Sequence, residues 1–199
     1  MVGTIKINQY NSVLRLTLEE LILNCKKHDA KAQEVLFKTY SGTLFSVCLK
    51  YSRSYPEAED NLQDTFLTIF TRIEQFEGKG SFEGWMKRIA VNTVLQKYRK
   101  QKVYNLSNEE QIEEDLDVEI EDHGVPLDFL LKIIQELPDR YRLVFTMYVM
   151  DNYPHKEISD LLGISEGTSK SNLSRARKIL KNKIETYYSD SKDRKIKDK

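Results

Sequence analysis

Apolar residues recur at steps of three and four along most of the chain, and no stretch alternates long enough to make a buried strand. The pattern predicts an all-α protein. In the first half it marks helices over Thr17 to Lys27, Ala30 to Arg53, Pro56 to Glu74 and Ser81 to Lys100. Within the third of these, Leu62, Phe66, Ile69, Phe70 and Ile73 form one apolar stripe that should face a core. Later, Leu127, Leu130, Leu131, Ile134 and Leu137 mark a helix from Pro126 to Leu137, and Pro138 forces a break before another from Asp139 to Met150. A third helix there, starting near Pro154, places Ile158, Leu161 and Leu162 on one side. Gly163 is suited to the left-handed conformation that ends it, and Ser165 to capping the next helix, whose first turn holds Glu166.

That last helix has two unlike faces. At 3.6 residues per turn, Leu173, Ala176 and Leu180 share one stripe, while Gly167, Lys170, Ser171, Ser174, Arg175 and Lys178 occupy the opposite arc. A small, polar, basic arc is what a helix in a DNA major groove needs. Arg and Lys donate to guanine edges, Ser reaches bases or phosphates, and Gly permits close approach. An ordinary solvated amphipathic helix has the same periodicity. The preceding helix, the glycine turn and the serine cap weigh toward DNA binding.

Between the two sets of helices the pattern lapses. Residues 103–125 lack aromatics after Tyr104 and contain Ser107, Asn108 and Gly124, so they are expected to form an acidic flexible linker. Ile112, Leu116 and Ile120 could line a short helix there, but like charges oppose it. The expected organisation is two small helical domains, 17–102 and 126–188, with that linker between them and a frayed polar tail at 189–199. Net charge is zero, yet it is unevenly placed. Nine acidic residues and no basic one lie between Glu109 and Asp122, which leaves the rest of the chain at +9. Gly84 to Asn108 carries six basic residues and no acidic one, and Ser165 to Tyr188 six basic against two acidic. Each is a candidate phosphate-binding surface.

Other chemistry is sparse. Cys25 and Cys48 lack the spacing of a metal or redox motif and read as buried free thiols. His28, His123 and His155 are scattered, without partners at metal-ligand spacing. No cofactor, metal site or catalytic constellation is expected, and the chain reads as a non-enzyme. The longest apolar stretch, Leu143 to Met150, is far too short to span a membrane, and the first residues lack the apolar core of a signal peptide. A cytoplasmic protein without membrane insertion is expected.

The stretches LPDRYRLVF and EISDLLGISEGTSKSNLSRARK resemble region 4 of the sigma factors, and AEDNLQDTFLTIFTRI followed by FEGKGSFEGWMKRIAVNTVLQKYRKQK resembles region 2. The small extracytoplasmic-function (ECF) subfamily of sigma-70 proteins has this two-part layout. The resemblance implies a region 2 helical bundle and a region 4 helix-turn-helix. It implies contacts with the −35 promoter element from Lys156, Gly167, Thr168, Lys170, Ser171, Ser174, Arg175 and Lys178. Contacts with single-stranded −10 DNA would come from Lys79, Ser81, Lys87, Arg88, Asn92, Lys97 and Arg99. Core RNA polymerase would be met by Asp60, Gln63, Asp64 and Phe66. The implied partners are the clamp helices of the largest polymerase subunit, the flap of the second-largest, promoter DNA and an anti-sigma factor.

From the residues themselves, an acidic face such as Asp60, Gln63 and Asp64 is as readily a solvated surface. Trp85, in line with Phe82 and Ile89, reads as core rather than as a base-stacking platform. Three positions depart from the family pattern: Ser169 where Val is usual, Asn172 where Arg is common, and Ser159 for Ala. The Ser169 hydroxyl is expected to bond back to the Ser165 carbonyl. The implied function is promoter-specific initiation, and the alternative is a helix-turn-helix regulator that never joins polymerase. An enzyme has little support.

Overall fold

Thr17 opens the first helix by reciprocal capping. Its hydroxyl accepts from the Glu20 backbone N–H at 3.2 Å, and the Glu20 carboxylate accepts from the Thr17 N–H at 2.8 Å. The computed structural model describes residues 16–104 and 125–197. Among these there is no strand. The helices are α1 (Leu18–Lys26), α2 (Ala30–Tyr51), α3 (Tyr55–Arg72), α4 (Phe82–Tyr104), α5 (Leu127–Gln135), α6 (Asp139–Phe145), α7 (His155–Leu162) and α8 (Glu166–Lys197). A 3-10 turn follows α3 at Ile73–Gln75, and a π-helical turn follows α6 at Thr146–Met150. The acidic run from Glu109 to Asp122, the short helix weighed within it and the first fifteen residues lie outside the described residues. α8 continues to Lys197, through most of the tail expected to fray.

The chain folds as two compact units. The first takes the residues up to Leu49 together with Tyr55–Val94, and the second takes Lys50–Ser54 together with Leu95 onward. The sequence instead places the first domain at 17–102. The difference arises at α2 and α4, whose last turns join the second unit.

The first unit is built around the stripes that the periodicity marks. Leu21, Cys25, Leu36, Leu44, Cys48, Phe66, Ile69, Ile73, Phe82, Met86 and Ala90 are all buried. Each large apolar side chain so enclosed contributes about 1.5 to 3 kcal/mol. Both cysteines are free and buried, and burial, with Asp29 adding to it, pushes the Cys25 thiol up to about 11. Asn61 and Thr65 are also fully enclosed. They stand eight and four residues before Ile69, in register with the core face of α3, and Thr65 Oγ1 donates to the Asn61 carbonyl at 2.7 Å. Their polarity hid them from a reading based on apolar spacing.

In the second unit α8 is the long element, with Leu173, Ala176, Leu180 and Ile184 buried along it and the Phe129 ring 4.2 Å from the Tyr187 ring. Arg142 is 3% exposed, a buried cation that this fold accepts because every direction of its fork is answered. It donates to the Tyr51 carbonyl at 3.1 Å, the Leu137 carbonyl at 2.9 Å and the Asp139 carboxylate at 2.6 Å. Burial tends to raise the Asp139 pKa, but hydrogen bonds from Arg53 and Arg142 outweigh it and hold the carboxyl below its ordinary value. The helix expected to run to Met150 changes at Thr146 to the wider π form, where the Asp151 N–H reaches back five residues to the Thr146 carbonyl at 3.1 Å. Leu143 to Met147 are buried, whereas Tyr148, Val149 and Met150 face outward.

Candidate nucleic-acid interface

The turn between α7 and α8 is made by three residues with separate tasks. Gly163 adopts φ 63° and ψ 46° and closes α7, its N–H donating to the Ser159 carbonyl, which also takes the Ile164 N–H at 3.1 Å. Ser165 then caps α8, its hydroxyl accepting from the Thr168 N–H at 3.0 Å. The same hydroxyl lies 2.8 Å from Thr168 Oγ1. Thr168, placed on the DNA side by resemblance, thus uses its side chain in the cap.

Beyond the cap, α8 presents the arc that the sequence predicts. Gly167, Lys170 and Lys178 are exposed, and Ser171, Ser174 and Arg175 are half-buried. The Ser171 hydroxyl donates to the Thr168 carbonyl at 3.0 Å. Arg175 Nη1 lies 3.3 Å from the Tyr141 hydroxyl and donates to it, so one side of the guanidinium is steadied from α6. Lys156, in the first turn of α7, is exposed. The opposite face buries two polar residues, Ser169 and Asn172, beside Leu173, Ala176 and Leu180.

The Ser169 hydroxyl is not bonded to the Ser165 carbonyl as the sequence suggests. That carbonyl takes the Ser169 backbone N–H at 3.0 Å, which is the ordinary helical bond. The hydroxyl instead lies 2.9 Å from His155 Nδ1. The His155 ring in turn stacks on Tyr148, with centroids 4.4 Å apart and planes 19° from parallel. Burial holds the imidazole below its ordinary pKa. Lys170 and Arg177 act in the same direction, and Glu166 opposes them. The sequence carried one signal for this pair, a polar residue on the packed side of an amphipathic helix, but gave no means of naming its partner.

In the first unit, Asp60 and Gln63 are exposed on α3 and Asp64 is half-buried beside them. Phe66, grouped with them by resemblance, is 3% exposed and packs its ring against Phe37 at 4.7 Å and Phe70 at 5.9 Å. It supports that face from beneath and offers no surface for contact. The stripe containing Leu62, Ile69 and Ile73 already required this.

The loop entering α4 turns at Gly78 and Gly80, both at positive φ. Phe76, Phe82 and Trp85 cluster at its base, with the Phe82 and Trp85 rings stacked at 5.6 Å and Phe76 within 5.5 Å of each. Trp85 therefore packs against these rings, but it stays half-buried rather than enclosed in the core as its spacing predicts. Lys26 of α1 donates to the Phe76 carbonyl at 2.9 Å and ties down the loop start. Lys79 and Ser81 are exposed in the loop. Lys79 pairs with Glu77 at 2.6 Å, and the Ser81 hydroxyl accepts from the Gly84 N–H at 3.3 Å. On α4, Arg88 and Asn92 are exposed together, and Lys87 pairs with Glu83 at 2.6 Å. Lys97 is half-buried. Arg99 is exposed within the second unit, and its Nε donates to the Leu161 carbonyl at 2.9 Å. The structure thus keeps Arg88 and Asn92 as one cluster and directs Arg99 to the last turn of α7. Among the described residues no helix is long and apolar enough to cross a membrane, and no group of three or more His, Cys, Asp and Glu could hold a metal ion.

Comparison with known proteins adds independent findings. Residues 36–103 match the family model described as sigma-70 region 2, and residues 129–180 match that for sigma-70, region 4. The chain is 27% identical over 184 residues to the ECF RNA polymerase sigma factor SigW of Bacillus subtilis, a match covering 86% of this chain and 98% of that protein. With SigM of the same organism, also named an ECF RNA polymerase sigma factor, identity is 30% over 154 residues, covering 73% and 91%. Among solved structures, the sigma factor RpoE of Bartonella quintana, crystallised with the anti-sigma factor NepR, is 20% identical with a TM-score of 0.49. That match covers 76% of this chain and 96% of that one.

Proposed function

The chain belongs to the ECF sigma factors of the sigma-70 family and directs promoter-specific transcription initiation, and on that premise we propose how its residues divide the work. The first domain, 17–102 by sequence, docks on the clamp helices of the largest polymerase subunit through the exposed face of α3, with Asp60 and Gln63 outermost and Asp64 beside them. Its loop and α4 hold the opened −10 strand. Lys79, Lys87, Arg88 and Lys97 supply cationic contacts, and Ser81 and Asn92 hydrogen bonds. Arg99, grouped with them by resemblance, supplies a further cationic contact from the end of α4. The second domain, 126–188, lays α8 in the major groove of the −35 duplex and meets the polymerase flap. Gly167, Lys170, Ser171, Ser174 and Arg175 face bases or phosphates, Lys156 and Lys178 face phosphates, and Thr168 fixes the start of the helix.

The observation that carries this reading is the division of α8 into a buried stripe and a small, polar, basic face, on a helix held by a glycine turn and a serine cap. Nothing in the role requires covalent chemistry or a cofactor, and the protein acts in the cytoplasm, where polymerase is. An anti-sigma factor holds the protein inactive, as the family resemblance implies. The test of this division is at the polymerase-binding face of α3. A chain carrying Asp60→Lys and Gln63→Ala should lose co-elution with core polymerase while keeping its helical circular dichroism. Unchanged co-elution would remove α3 from the docking role.

A further inference from the structure

We propose that the hydrogen bond between His155 and Ser169 is a clasp that sets the rotation of α8 about its own axis, and so the register in which its exposed face meets duplex DNA. The proposal deepens the reading of α8 as the promoter-reading helix and rests on it. At about 100° per residue, Ser169 stands at the middle of the buried stripe, with Asn172, Leu173, Ala176 and Leu180 all within about 60° of it. The apolar members of that stripe pack without directional preference. A hydroxyl is directional, and one with 0% exposure must be satisfied where it sits.

The partner is itself held. His155 is the first residue of α7, and its ring is stacked on Tyr148 from the π-helical turn. Tyr148, His155 and Ser169 therefore link three successive elements. Gly163 joins α7 to α8 through the backbone, and the clasp joins them again through side chains. Angular precision matters here because side-chain ends lie about 5 to 6 Å from a helix axis, so a rotation of roughly 20° shifts them by about 2 Å. That is enough to lose a hydrogen bond to a base edge. The neighbours of Ser169 make the point concrete: Lys170 is exposed at the next position and Gly167 two positions before. His155 and Ser169 thus act as positioning groups rather than DNA contacts.

The test uses the full chain with core polymerase on promoter fragments recovered by run-off transcription from genomic DNA. Each fragment is compared with a version whose −35 bases are replaced. Ser169→Ala and His155→Ala should each lower the ratio of transcription from native to replaced fragments by about fivefold, the size of one net hydrogen bond. The double variant should lose no more than either single one, because both remove the same interaction. His155→Asn, which can place an acceptor near the position of Nδ1, should restore most of the ratio. Initiation from the replaced fragment is the folding control and should stay level throughout. Unaltered ratios in both alanine variants, or losses that add in the double, would overturn the clasp alone. No promoter-specific transcripts from the unsubstituted chain would overturn the promoter-reading premise and the clasp's role with it.

Discussion

Arg175 and Lys178 lie one turn apart on the same face of α8, and their surroundings assign them different work. Arg175 is half-buried, with one nitrogen on the Tyr141 hydroxyl, which steadies the planar fork for the base contact proposed for it. Replacing it with Ala should cost about 1 to 3 kcal/mol at a preferred −35 site and relax preference at one base position, as measured by competition footprinting. Lys178 is exposed. Its loss should weaken all sequences alike and reduce the slope of log affinity against log salt by about one. At the same scale, His155 makes a prediction with a definite sign. An unfolded imidazole takes up its proton near about pH 6.5, whereas burial beside Lys170 and Arg177, against Glu166, makes the folded one wait for lower pH. Between those values the unfolded chain binds more protons, so stability is lost as pH falls through that window. The urea midpoint should drop as pH falls from neutral through the unfolded value of about 6.5, and drop less in His155→Asn. Equal drops in the two proteins would show that the imidazole does not titrate this way.

Among the elements, the short turn before α8 bears the tightest conformational demand. Gly163 has φ 63°, and a Cβ built there meets nothing within 4 Å, so a substitution would be strained by its backbone alone. Gly163→Ala should cost about 1 to 2 kcal/mol in urea unfolding, and Gly163→Asn less, because Asn tolerates the left-handed region. A cost near zero would mean that the turn can relax. This turn, the cap and the exposed arc of α8 were legible in the sequence because each depends on neighbours within one helical turn. The apolar stripe of α3 was legible for the same reason. Asn61, Thr65 and Asn172 were not, and for Ser169 the packed side was legible but the partner was not, since a buried polar side chain is stabilised by groups that periodicity does not name. Resemblance drew Phe66 onto the binding face by its place in a motif, although its own spacing put it in the core. The π-helical turn at Thr146–Met150 follows an apolar run that reads as unbroken helix, and spacing alone carries no sign of the extra residue.

For the molecule as a whole, the zero net charge conceals an arrangement suited to a nucleic-acid partner. Basic residues gather on α4 and α8, and the compensating acid is concentrated between Glu109 and Asp122. Electrostatic attraction to DNA is thereby available to each basic surface despite the neutral sum. What separates a sigma factor from any other helix-turn-helix protein is the requirement for polymerase, and this is where the account stands or falls. The most direct measurement is run-off transcription by core polymerase on fragmented genomic DNA, with and without the purified chain. Discrete transcripts that start at a limited set of sites should appear only when the chain is present, and disappear with Asp60→Lys and Gln63→Ala. Transcripts identical to those of core polymerase alone, from a chain that still binds duplex DNA, would contradict it.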